Sequence, residues 1–114
     1  MPERRWRHRK ERIMALNKFG FIFTGEGLDP CSDRAVIEKG QFSAIIIGMS
    51  NPDGVEKIAQ ELVQDGVQLI ELCGGFGPLW TSRVINAIKN QIPVGSVGYG
   101  PESINMMAEL FPAT

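Results

Sequence analysis

Val67-Gln68-Leu69-Ile70-Glu71-Leu72-Cys73, followed by Gly74-Gly75-Phe76-Gly77 and then Pro78, is the stretch on which the fold is decided. A short apolar run bounded by glycines reads as a strand. Pro78 then suits the first position of a helix, where its missing N–H costs nothing and its φ is already helical. That helix is expected to reach about Asn90, with Trp80, Val84, Ala87 and Ile88 as its apolar stripe. The order of strand, turn, proline and helix recurs at Pro30, Pro52 and Pro101, at spacings of 22, 26 and 23 residues. The chain therefore reads as an α/β protein of four tandem βα units forming a parallel four-stranded sheet.

Working outward, the first strand is expected at 18–24, Lys-Phe-Gly-Phe-Ile-Phe-Thr. Asp29 reads as an N-cap before Pro30, opening a short helix to Lys39 that Gly40 ends. The second strand is expected at 43–49, a β-branched run typical of a strand buried on both faces. Ser50-Asn51 reads as the cap of a helix opening at Pro52. Val55, Ile58, Ala59, Leu62 and Val63 form its stripe, and Gly66 ends it. The fourth strand, 93–97, leads through Gly98-Tyr99-Gly100 and Pro101 to a last helix lined by Ile104, Met107, Ala108 and Phe111. Two layouts satisfy right-handed crossovers. Spatial order 1-2-3-4 gives a half-barrel with all helices on one face. Order 2-1-3-4 gives a small doubly wound sheet with helices on both. Both faces of the first two strands are apolar and need cover, so a homo-oligomer, a dimer or larger, is expected.

The 114 residues, 43% hydrophobic and 22% charged, suit a soluble globular protein. No apolar run approaches the ~18 residues of a membrane span, and no apolar segment follows the basic start as in a signal peptide. A cytoplasmic location and no membrane partner are expected. Two cysteines and one histidine do not make a metal pattern, and no cofactor motif is present. Residues 1–16 form a basic extension of net +4, while residues 17–114, the single α/β domain, carry −5. The extension reads as a nucleic-acid arm, as a solvated tail, or as non-native sequence ahead of a start at Met14. The acidic body argues against nucleic acid as a partner.

Chemistry is sought at the C-terminal edge of the sheet. Gly75-Phe76-Gly77-Pro78 and Gly98-Tyr99-Gly100-Pro101 are matching turns. Glycines bring backbone N–H groups close to a ligand, and each following helix adds free N–H groups and a positive dipole end. Gly74, Gly75, Phe76, Gly77, Ser96, Gly98, Tyr99 and Gly100 are the candidate ligand-binding residues, for a small anionic molecule. The bland alternative is a pair of tight turns that only close their units. Glu71 is the candidate catalytic residue, a carboxylate inside an apolar strand near two helix N-termini, suited to proton transfer if it is buried. Its structural alternative is to accept N–H bonds from a turn or to lock a subunit interface. Cys73 is a weaker candidate nucleophile, because His8 is the only histidine and lies far outside the body. Trp80 and Met106-Met107 read as core or interface.

The stretch from Gly66 to Pro78, with Pro93-Val94-Gly95-Ser96-Val97 after it, resembles a family of small, mostly bacterial proteins of unknown function. The shared signature is Glu71-Leu72-Cys73-Gly74-Gly75-Phe76-Gly77-Pro78, after an opening Lys-Phe-Gly-Phe-Ile-Phe strand. The resemblance runs from about Lys18 to Phe111. It implies a compact α/β domain and brings no activity, substrate or catalytic residue with it. Two function classes stay open: a site for a small anionic metabolite at the sheet edge, and a non-catalytic oligomeric binding or assembly module. Whether turnover occurs is open as well.

Overall fold

The computed structural model describes residues 15–112; the basic extension, apart from Ala15 and Leu16, lies outside the described residues. Five strands form one sheet: β1 (Lys18–Thr24), β2 (Arg34–Lys39), β3 (Phe42–Met49), β4 (Ile70–Leu72) and β5 (Val94–Ser96). Among the described residues three helices accompany them: α1 (Val55–Gln64), α2 (Gly77–Ala87) and α3 (Ile104–Leu110), the last entered through a 3-10 turn at Pro101–Ser103. The spatial order is β2-β3-β1-β4-β5. All neighbours are parallel except β2 and β3.

The expected four βα units are thus corrected at the first one. Residues 34–39 form a strand, not a helix. Asp29 caps a single turn, its Oδ1 accepting from the Cys31 N–H at 2.8 Å and its carbonyl from Asp33 N–H at 2.7 Å. The chain then extends as β2 and returns as β3 through the two-residue loop Gly40-Gln41. Gly40 sits at φ 59°, the positive φ that tight hairpins demand. A C-cap glycine and a hairpin glycine look alike in sequence. Six residues carrying Val36-Ile37 are too few to declare a period of 3.6 or of 2.

The four parallel strands lie in the order β3-β1-β4-β5, which is the doubly wound 2-1-3-4 arrangement. Its first crossover helix, however, is replaced by a hairpin, so among the described residues one face carries the helices. Ile22, Ile45, Ile47, Met49, Ile70 and Leu72 point to that face. They pack with Val55, Ile58, Ala59 and Leu62 of α1 and with Val84 of α2. Gly20 lets α1 approach: a Cβ there would stand 2.8 Å from Leu62 Cδ1. The apolar stripe of α1 is as expected, but the helix opens at Val55, not Pro52. Pro52 instead forms a turn whose carbonyl accepts from the Val55 N–H at 3.1 Å, beside an Asn51 side chain accepting from Asp53 N–H at 2.9 Å.

The opposite face holds Phe19, Phe21 and Phe23 of β1, each half-buried, with Ile46 of β3 and Ile37 of β2 beside them. Phe19 packs on Phe42, and Phe21 on Phe23, with ring centroids 6.1 and 6.2 Å apart. Among the described residues, no helix lies over this face.

Candidate functional site

The strand order reverses at β1. From β1 the chain leaves toward β2 and β3 on one side; from β4 it leaves through α2 toward β5 on the other. Open α/β sheets place ligands where such neighbouring connections diverge, beyond the carboxyl ends of the strands. Here that point lies between Thr24, the last residue of β1, and Cys73, just past β4.

The two ends touch. The Thr24 N–H donates to Cys73 Sγ at 3.3 Å, and the Thr24 hydroxyl lies 3.7 Å from the same sulfur. Gly75 closes over them: a Cβ at this position would stand 2.5 Å from Thr24 Oγ1 and 3.4 Å from Cys73 Sγ. Gly74 lies against the Tyr99 ring, where a Cβ would stand 3.2 Å from Cε2. Both glycines are exposed. α2 begins directly after them, with Pro78 in its first turn and no side chain capping its N-terminus. Its first N–H groups therefore have no side-chain partner, and its positive dipole end lies beside the Thr24–Gly75 contact.

The expected site residues divide into those that gather here and those that do not. Gly74, Gly75 and Tyr99 gather at the divergence point, and Gly77, with open space around it, opens α2 beside them. Phe76, a candidate ligand-binding residue, is 3% exposed and belongs to the core. It stands at the N-cap of α2 with helical φ and ψ, which turns its ring inward. Ser96 is exposed at the end of β5, paired in register with Leu72, one strand away. Gly98 has open space around it. Gly100 is already occupied: the Glu102 carboxylate folds back against its Cα. An acid at the start of a helical segment is favourable there, so the second turn meets a charge from its own chain.

Glu71, suited to proton transfer only if buried, is exposed. In register it sits directly beside Phe21, on the face without helices, while its neighbours Ile70 and Leu72 are 0% exposed on the other. Alternation along the strand puts it there. Because no described helix covers that face, the carboxylate stays in water. Indeed, no polar or charged side chain is buried among the described residues.

Thr24 was missed. It ends the first strand unremarkably, and its value comes from the register between β1 and β4, strands separated by some fifty residues of chain. A second feature not foreseen is a cleft of about 360 Å³ between the C-terminal ends of α1 and α2, lined by Gln60, Gln64, Ile88, Lys89 and Gln91. The Gln60 amide crosses it to donate to the Ala87 carbonyl at 3.1 Å. It opens at the opposite edge of the sheet from Thr24. Trp80 packs against the core, as expected, with the Arg83 guanidinium 4.5 Å over its ring. Among the described residues, no group of three or more His, Cys, Asp or Glu side chains is placed to hold a metal, and no helix is long and apolar enough to cross a membrane.

Comparison with curated proteins and with solved structures finds no match to this chain. Residues 17–112 match DUF6506, a family of unknown function, and the chain belongs to that family.

Proposed function

We propose that this protein binds a small anionic molecule at the carboxyl edge of its sheet, where β1 and β4 diverge. One observation carries the reading. The Thr24–Cys73–Gly75 contact, the exposed Gly74-Gly75 backbone and the uncapped start of α2 all fall at the point of strand reversal. Exposed glycines admit an oxyanion to backbone N–H groups, and a helix N-terminus favours its charge. The Thr24 hydroxyl adds a donor from the facing strand, and Tyr99 supplies a wall. Glu71 lies on the open face and has no part in this reading.

The test is a thermal-shift titration of the full chain with inorganic phosphate, pyruvate, ribose 5-phosphate and AMP. A ligand at a hundred times its Kd adds about 2.7 kcal/mol to stability, a shift of roughly 10 °C or more for a domain of this size. One probe is expected to give such a shift. Thr24→Val, which keeps the shape and removes the hydroxyl, is expected to weaken it. A flat response across the panel would sink the proposal.

A second reading is favoured by the bare sheet face: a non-catalytic assembly module that works as a homo-oligomer, in which the glycine turns only close their units.

A further inference from the structure

Two apolar surfaces of this chain lack cover among the described residues, and their shapes are opposite. One is the helix-free face of the sheet. Phe19, Phe21 and Phe23 lie there on the central parallel strand and are only half-buried. Ile37 at its margin is 57% exposed. Parallel strands are ordinarily covered on both sides. The other surface is α3. None of its seven residues is buried. Ile104, Met106 and Leu110, with Phe111 at the C-cap, are between 61% and 70% exposed. Within the chain, α3 packs chiefly on the 3-10 turn that precedes it. A helix this short lies well below the ~12–15 residues an isolated helix needs to be even marginal in water. It needs a surface to lie on.

We propose that a second copy of this chain covers the bare sheet face, with α3 of each copy lying across the Phe19–Phe23 strand of the other. The inference rests on the assembly reading above and is independent of the ligand site. Its support is the area and the self-complementarity. An aromatic side chain covers ~150–250 Å² and an aliphatic one less, so the four residues around α3, each about two-thirds exposed, present on the order of 400 Å². That already matches the largest apolar patch of a typical monomer. In a two-fold pair each copy contributes both a helix and a face, on the order of 800 Å² per copy, close to the roughly 800 Å² of a standard stable interface. Packing sheet directly on sheet would leave both copies of α3 in water. Only the exchange covers both surfaces. Glu71, beside Phe21, then falls at the border of the contact.

The experiment is light scattering on a sizing column and sedimentation equilibrium of the full chain, with Leu110→Glu and Ile37→Glu. Both positions are exposed in the single chain, so the variants should fold, which circular dichroism checks. Phe111→Glu is the second helix variant should Leu110→Glu misfold, and Phe42→Glu the second sheet variant should Ile37→Glu misfold. The wild type is expected to be a dimer. Each variant should weaken dimerisation by about thirtyfold or more, as loss of an interface anchor does. Mixing a helix variant with a sheet variant should restore a heterodimer, because that pair keeps one intact helix-on-sheet contact. A wild-type monomer would overturn both the inference and the assembly reading. A dimer that survives the helix variants, or variants that do not complement when mixed, would overturn the exchange and leave the assembly reading standing.

Discussion

Replacing Gly75 by alanine tests the geometry at the end of β1 most directly. The new methyl would stand 2.5 Å from Thr24 Oγ1, well inside van der Waals contact, and 3.4 Å from Cys73 Sγ. The backbone φ at Gly75 is not in the left-handed region, so the cost is collision and not torsional strain. Relief requires the Thr24 side chain to rotate away from Cys73 or the turn to lift. Forcing an extra carbon into a packed site costs about 1–3 kcal/mol. For a domain of this size that lowers the melting temperature by roughly 5–15 °C. Because the collision is with one hydroxyl, Thr24→Ala should relieve most of it. Urea denaturation of the wild type, both single variants and the double variant forms a cycle. The expected coupling is about 1–2 kcal/mol in the direction of rescue. If Gly75→Ala costs less than about 0.5 kcal/mol, or if Thr24→Ala brings no relief, the two strand ends are not in contact as described.

Two further outcomes follow from the fold. Glu71→Gln, on the open face and exposed, should change the unfolding free energy by no more than about 0.5 kcal/mol. A loss of several times that in urea would mean that the carboxylate is engaged. Gly40→Ala should destabilise by about 1–2 kcal/mol, with Gly40→Asn milder. No neighbour lies within 4 Å of a Cβ at this site, so the φ of 59° alone sets the cost. Amide exchange should quicken in β2 before it does in β1, and equal quickening in both would contradict a hairpin origin.

Much of this fold is legible in the residues, and the parts that are not share a cause. The Lys18–Thr24 strand, the Ile45–Ile47 run and the Val55–Ile58–Ala59–Leu62 stripe announce themselves because each carries its own period or its own continuous apolar run. Pro78 falls in the first turn of α2 as proline's fixed φ favours, whereas Pro101 opens only a 3-10 turn and α3 begins at Ile104. Arg34–Lys39 failed because Gly40 serves two backbones equally well and only pairing with β3 chooses between them. The exposure of Glu71 was hidden for a different reason. Alternation correctly put it opposite Ile70 and Leu72, but whether that second face is covered depends on what the first crossover becomes. Thr24 was invisible because its partner, Cys73, is brought to it by register between strands distant in sequence. Phe76 was misassigned because a turn residue and a core residue can be the same aromatic.

The two margins of the sheet differ in how they meet other chains. β5 ends the sheet with three residues, too short a row of free N–H and C=O groups to template a foreign strand. β2 ends it with six, all exposed, and long open margins invite runaway strand addition. Arg34, Glu38 and Lys39 are spaced along that margin, and charges so placed repel a neutral strand that tries to dock. By spending a helix on a hairpin, the chain acquired an edge that needs guarding, and three charged side chains stand guard on it. Neutralising them together, rather than disturbing the core, is the change that would turn this protein toward fibres.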